Sequence, residues 1–141
     1  MSTEQMIKAT GSCLCGSVKY EVNGPMSGII YCHCEQCRKT SGHYCAATSC
    51  EREHLNITED SGLCWYRSSP EAERGFCKHC GSSLFWSYGD APSISIFPGS
   101  LDLPTGLKAD AHIFVADASD YYSIDDGLPQ HDDYGTINAA E

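Results

Sequence analysis

Positive charge is scarce in this chain. Nine Lys and Arg stand against 19 Asp and Glu, for a formal charge of −10. Nucleic acid and anionic membranes are held through clustered positive charge, so neither is expected as the main partner. Long apolar runs are missing too. No stretch approaches the roughly 18 residues of a membrane-crossing helix, and the opening MSTEQMIKATG has no signal-peptide core. Both absences point to a cytoplasmic protein. No repeat, low-complexity tract or linker divides the 141 residues. A single domain over residues 1–141 is therefore expected, long enough to bury a core.

Cysteine, by contrast, is abundant. Ten of them in a chain without an export signal point to metal rather than to a disulfide framework. Seven lie in close motifs: Cys13-x-Cys15, Cys32-x-Cys34-x-x-Cys37 and Cys77-x-x-Cys80. Such spacings chelate one ion well and cross-link distant strands poorly. Cys32 and Cys34, two apart in an extended segment, project to the same side, and a tight turn brings Cys37 round to them. The segment offers a zinc ion three sulfurs and leaves the fourth tetrahedral position open, as catalytic sites do.

Cys77-Lys78-His79-Cys80-Gly81 has the form of a zinc knuckle. In a knuckle, backbone N–H groups point at the thiolates, and the residue after the second cysteine often takes positive φ, which Gly allows. Cys13-Leu14-Cys15-Gly16 is a second pair, also followed by Gly. Joined, Cys13, Cys15, Cys77 and Cys80 make a closed structural centre whose binding energy is folding energy. Pairing Cys13 and Cys15 with Cys32 and Cys34 satisfies the same count. The four-plus-three grouping is preferred because the triple already converges. Two zinc ions are expected, the second open to partial occupancy. Cys45, Cys50 and Cys64 read as small buried apolar side chains. Alternatively, one of them closes the second site as a fourth ligand.

Alternation of apolar and polar residues predicts short strands from Ile7 to Thr10, Ser17 to Val22, Gly28 to Tyr31, His43 to Ser49 and His54 to Thr58. Further strands are predicted from Leu63 to Ser68, Ser82 to Tyr88, Ser93 to Phe97 and Ala111 to Ala116. Glu35 to Thr40 is expected as a short helical turn ending at Gly42, and Pro70 to Glu73 as a polar loop. The fold class is mainly β: several small curved sheets pinned by metal, with little helix. Trp65, Phe85, Trp86 and Phe97 are expected in the core.

Other side chains near the motifs carry two readings each. His33 lies between two ligands and in a strand points away from the metal. It reads as packed or exposed, with proton transfer as the sharper alternative. His43, just past Gly42, can return toward the site and is a catalytic candidate. Arg38 and Lys39 follow the last ligand; they bind an anionic substrate or simply occupy a solvated turn. His79 is expected at the surface and His112 as a packed core histidine. Residues 102–141 hold nine acids and one base, Lys108. The block Asp117, Asp120, Asp125, Asp126, Asp132 and Asp133 reads as a solvated tail. It is also the feature that favours a second class of function, a zinc-stabilised non-catalytic binding module with both metal sites structural. Tyr121, Tyr122, Ile124 and Leu128 are expected to pack this tail on the core.

Three thiolates donate charge to zinc and weaken it as an acid toward water, so a zinc-hydroxide hydrolase is not the first expectation. A thiol entering the open position is a better match, because the ion holds it as thiolate at neutral pH. That thiolate can attack a small electrophile such as an aldehyde. The product is a hemithioacetal, and the reverse reaction cleaves a carbon–sulfur bond.

The order CLCGSV at Cys13–Val18, CHCEQCR at Cys32–Arg38 and GFCKHCGS at Gly75–Ser82 resembles the glutathione-dependent formaldehyde-activating enzyme family. PGSLD at Pro98–Asp102, HIFV at His112–Val115 and DGLPQ at Asp126–Gln130 extend the resemblance over about residues 11–134. It implies coiled β-sheets around a structural zinc held by Cys13, Cys15, Cys77 and Cys80. It implies a second zinc at Cys32, Cys34 and Cys37, where the sulfur of glutathione would bind and add to formaldehyde. Arg38 and Lys39 would then meet the carboxylates of glutathione. The implied activity is that of a carbon–sulfur lyase, in reverse an S-(hydroxymethyl)glutathione synthase. The sequence is also compatible with a homo-oligomer.

Overall fold

A computed structural model describes residues 8–134 of the chain. Ile7 and the segment before it lie outside the described residues. The described chain is mainly β, as expected. The strands are β1 (Ala9–Ser12), β2 (Lys19–Val22), β3 (Ile29–Cys32), β4 (Cys45–Glu51), β5 (Leu55–Glu59), β6 (Leu63–Arg67), β7 (Ala72–Cys77), β8 (Ser83–Tyr88), β9 (Ser93–Ile96) and β10 (Ala109–Ile113). One short helix, α1 (Glu35–Ser41), follows β3. No helix among the described residues is long and apolar enough to cross a membrane. The chain clusters into two compact units, Met1–Ser27 with Thr48–Leu107 and Gly28–Ala47 with Lys108–Glu141.

In the first unit, β1, β2 and β5 form a three-stranded antiparallel sheet with β2 in the middle. The alternation predicted for the second strand is present: Val18, Tyr20 and Val22 are buried while Lys19 faces water. Thr48–Glu51 of β4 pairs with β9, and β8, β7 and β6 continue the antiparallel order. Leu84, Phe85, Ile94, Ile96 and Leu101 join Val18, Tyr20 and Val22 in the core. Tyr20 meets Phe85 edge-on at 5.1 Å, and its hydroxyl lies 2.6 Å from Ser100 Oγ. Burial pushes the Tyr20 hydroxyl up to about 12.

Two expectations fail in this unit. The polar loop expected at residues 70–73 is in part β7, which pairs on both sides, with β6 and with β8. Trp65 is not a core residue. It sits on β6, the last strand of that order, and is 37% exposed.

In the second unit, β10 and β3 run parallel, with His112 beside Tyr31 and Ile113 beside Cys32. Cys45–Ala47 of β4 pairs antiparallel on the other side of β3. The chain leaves β3 at Cys32 and turns into α1 three residues later, at Glu35. Helix α1 ends at Gly42, in the left-handed conformation, with its N–H on the Arg38 carbonyl at 2.9 Å. After β10 the chain has no further strand among the described residues. It returns alongside β10, where the His112 N–H donates to the Pro129 carbonyl and the His131 N–H to the His112 carbonyl.

Candidate metal centres

The first centre lies in the first unit. The sulfurs of Cys13, Cys15, Cys77 and Cys80 all lie within 4.8 Å of one another. Cys13 Sγ to Cys15 Sγ is 3.8 Å and Cys15 Sγ to Cys77 Sγ is 3.7 Å. A regular tetrahedron of sulfurs around an ion with bonds of about 2.3 Å has edges of about 3.8 Å, so these spacings fit one shared ion. The backbone is shaped for it. Gly16 and Gly81, each next after a cysteine, have φ of 86° and 81°, where a side chain would be strained. The Val18 N–H donates to Cys13 Sγ at 3.2 Å, and the His79 and Cys80 N–H groups to Cys77 Sγ at 3.4 and 3.5 Å. Ser82 Oγ lies 3.2 Å from Cys80 Sγ.

These contacts split the thiols. The Ser82 hydroxyl is the main reason that Cys80 is held down to about 5, while burial pushes Cys77 up to about 11. Four thiolates share so small a volume only around a cation, which removes their mutual repulsion.

The second centre lies in the second unit. Cys32, Cys34 and Cys37 have their sulfurs within 4.8 Å of one another, and no fourth His, Cys, Asp or Glu among the described residues joins them. Cys45, Cys50 and Cys64 belong to neither cluster. Cys45 and Cys50 are buried, and burial pushes the Cys50 thiol up to about 11. The local fold that gathers the three sulfurs is a helix start rather than a free turn. Cys32 ends β3. Cys34 is the N-cap of α1, with extended backbone (φ −67°, ψ 164°), and its Sγ accepts the Cys37 N–H at 3.4 Å. Cys37, buried in the first turn, comes back over the cap. Contact with the Cys34 and Cys37 thiols, then burial, raises the Cys32 thiol far above the ordinary range. Loss of these protons is therefore coupled to the binding of a metal, which needs the thiolates.

Arg38 and Lys39 stand in the last turn of α1, where the helix dipole favours positive charge. Arg38 is half-buried and Lys39 exposed. Among the described residues neither makes an ion pair. His43 is exposed, and its Nδ1 lies 2.6 Å from the Tyr121 hydroxyl.

His33 is fully buried. Its Nδ1 lies 2.5 Å from the Tyr122 hydroxyl and its Nε2 2.8 Å from His112 Nδ1. The other nitrogen of His112 lies 2.8 Å from Asp126 Oδ2. Burial first, and then the charges of His112 and His43, lower the pKa of His33. His112 is buried, as expected of a core histidine, but it is a link in a polar chain rather than apolar packing. Tyr31, Tyr44 and Tyr122 pack around these rings, with Tyr44 4.4 Å from His33 and 5.1 Å from Tyr122. Sequence reasoning missed Tyr44 and this use of Asp126. The only signals were an aromatic beside His43 and an acid in a segment full of acids.

A model of the family described as glutathione-dependent formaldehyde-activating enzyme matches residues 8–117. A Schizosaccharomyces pombe protein described as an uncharacterized lyase is 31% identical over 119 residues, covering 81% of this chain and 83% of its own length. The crystal structure of a Rhodobacter sphaeroides protein covers 67% of this chain and 88% of its own with a TM-score of 0.57. At 22% identity that likeness is one of fold.

Proposed function

Because the chain belongs to the glutathione-dependent formaldehyde-activating enzyme family, we propose that it is a carbon–sulfur lyase acting on the adduct of a small thiol, glutathione first, with formaldehyde or a related aldehyde. The observation that carries this reading is the three-sulfur cluster of Cys32, Cys34 and Cys37 without a fourth protein ligand among the described residues. In this reading Cys13, Cys15, Cys77 and Cys80 hold a structural zinc, and Cys32, Cys34 and Cys37 hold a second. Zinc at the second site would lower the pKa of a bound substrate thiol and keep it as thiolate near neutral pH. The chain's own part is to gather three sulfurs at the start of α1 and to place positive charge, without an ion-pair partner among the described residues, one turn further on. Arg38 and Lys39 would hold the carboxylates of glutathione there, against the acidic balance of the whole. His43, exposed beside Tyr121, would border the same substrate.

Cobalt substitution tests this proposal. Adding glutathione to the cobalt-loaded protein should change the d–d and thiolate charge-transfer bands, and Cys34→Ser should abolish the change while the first centre keeps its own spectrum. No response to glutathione or to other small thiols would refute the reading and favour two structural sites. A response without faster exchange between formaldehyde and its glutathione adduct would discard the named substrate only.

A further inference from the structure

Strand β6 is the last strand of its sheet, and β7 is the strand that pairs with it. The pairing runs from Leu63 opposite Cys77 to Arg67 opposite Glu73 without a bulge. Just beyond its two ends, the Lys78 N–H donates to the Gly62 carbonyl at 2.8 Å and the Ser68 N–H to the Ala72 carbonyl at 3.0 Å. Bonded and non-bonded residues alternate along an antiparallel strand. Gly62, Cys64, Tyr66 and Ser68 therefore bond toward β7, and Leu63, Trp65 and Arg67 turn their backbone groups to the open side. The Leu63 N–H is taken by the Asp60 carbonyl at 3.0 Å. The N–H and C=O groups of Trp65 and Arg67 meet no partner among the described residues.

Sheet edges are commonly blunted by lysine, proline or a bulge. The sequence of β6, LCWYR, has neither lysine nor proline, and Trp65, Tyr66 and Arg67 are all exposed. The one charge on the strand, Arg67, is offset by Glu73 of β7 at 3.3 Å. We propose that this edge is an interface between two copies of the chain, β6 against β6 in antiparallel order, with a two-fold axis at Tyr66. The proposal does not rest on the lyase reading. Its register follows from the free groups. With Tyr66 opposite its own copy, Trp65 lies opposite Arg67 of the second copy, and every free N–H and C=O of both residues closes a hydrogen bond. An axis at Trp65 would set Arg67 against Leu63, whose N–H is already used, and leave the Arg67 carbonyl unpaired.

The side chains agree with this register, because directly opposite residues project to one face. Tyr66 falls in a non-hydrogen-bonded pair, where side chains approach most closely. Its ring beside the same ring of the second copy extends a row, Trp86 opposite Arg74 opposite Tyr66, that already crosses β8, β7 and β6. On the other face the Arg67 guanidinium meets the Trp65 indole of the second copy, a cation on the negative face of a ring. Each copy offers both the cation and the ring. That complementarity of charge favours a second copy over an arbitrary strand, and the two-fold axis uses it twice.

The test is sedimentation velocity on the metal-loaded full chain over a range of concentrations. The native chain should pass from monomer to dimer as concentration rises. Arg67→Pro removes an N–H that faces away from β7, so the ladder within the fold is kept. The axis repeats the change, two hydrogen bonds are lost per dimer, and the dissociation constant should rise about 30-fold. Tyr66→Glu and Tyr66→Lys each set like charges face to face and should sediment as monomers over the same range. Mixed in equal amounts, the two Tyr66 variants should form a dimer again. Metal content and the thermal midpoint show whether each variant is intact, and if Arg67→Pro fails to fold the Tyr66 variants decide alone. A native chain that stays monomeric up to about 1 mM overturns the proposal and leaves the edge to an extended segment of another protein. A native dimer that Tyr66→Glu leaves unchanged overturns it by placing the interface elsewhere. A mixture of the two Tyr66 variants that stays monomeric overturns it as well.

Discussion

Cys50 and Cys77 are both thiols of the same core cluster, 4% and 0% exposed, and serine at each should act in a different way. Cys50 belongs to neither sulfur cluster. Its thiol is a small apolar filler that burial keeps protonated well past neutrality. A serine there puts a hydroxyl where a weakly polar sulfur was, at about 1–3 kcal/mol if the hydroxyl finds no partner. For a chain of this length that is a fall of about 3–10 °C in the thermal midpoint. Metal content should not change. Cys77 has the Cys15 sulfur at 3.7 Å and two backbone N–H groups on its own sulfur. Its serine variant leaves three ligands for an ion whose binding to a four-sulfur site is about 10–16 kcal/mol. That range matches or exceeds the whole stability of an ordinary domain, about 5–15 kcal/mol. Cys77→Ser should therefore be insoluble or unfolded, not merely less stable. The assay is zinc per chain by atomic emission after gel filtration, with thermal melting of the same fractions. A soluble, zinc-free Cys77→Ser protein melting within about 10 °C of the parent would refute the reasoning. So would a Cys50→Ser protein that had lost an ion.

The Asp126 carboxyl is held below its ordinary value of 3.8, first by the His112 hydrogen bond and then by the Leu128 N–H. A depressed carboxyl stabilises the fold above its unfolded pKa, and that contribution is lost as pH falls through the folded one. The gap in urea midpoint between the parent and Asp126→Asn should thus be flat from neutrality to near pH 3.8 and close below it. A gap that widens in acid would contradict this. Deleting residues 118–141 should destabilise the protein, because it removes the Tyr121, Tyr122 and Asp126 partners of His43, His33 and His112. A truncated chain with an unchanged thermal midpoint that had lost only a basic partner would favour the docking-surface alternative.

The two sulfur clusters could be read in advance because short-range spacing fixes where their ligands point. The four-sulfur set needed one further guess, that Cys13 and Cys15 meet Cys77 and Cys80, and the structure groups the thiols that way. Strand β7 was hidden for a physical reason. Its stretch AERGFC carries two charges and a glycine, and Arg74 is nonetheless buried. Gly75 is there because a Cβ would come within 3.0 Å of the Trp65 ring, a contact no local pattern encodes. The tail was expected to pack through Tyr121, Tyr122, Ile124 and Leu128. Tyr121 is instead 61% exposed, and the polar anchors Tyr122 and Asp126 are fixed by partners about 14 to 89 residues away. Hydrogen bonds at such separations leave no periodic trace in a sequence.

The units are interleaved along the chain, each made of two stretches with part of the other between them. This sets an order of assembly on the ribosome. The three-sulfur cluster needs only residues 32–37, so it can take up an ion while most of the chain is still unmade. The four-sulfur centre must wait for Cys80 and close a loop in which Cys15 and Cys77 are 62 residues apart. Closing that loop costs about 3 kcal/mol more in chain entropy than closing a turn of a few residues. The Tyr122 and Asp126 partners arrive last of all. A nascent chain thus carries an exposed, metal-hungry triple of thiols before it has either a core or the tail segment that completes the histidine chain. Starved of metal at that stage, it would be open to oxidation between neighbouring sulfurs, so the supply of metal during synthesis would govern the yield of finished protein.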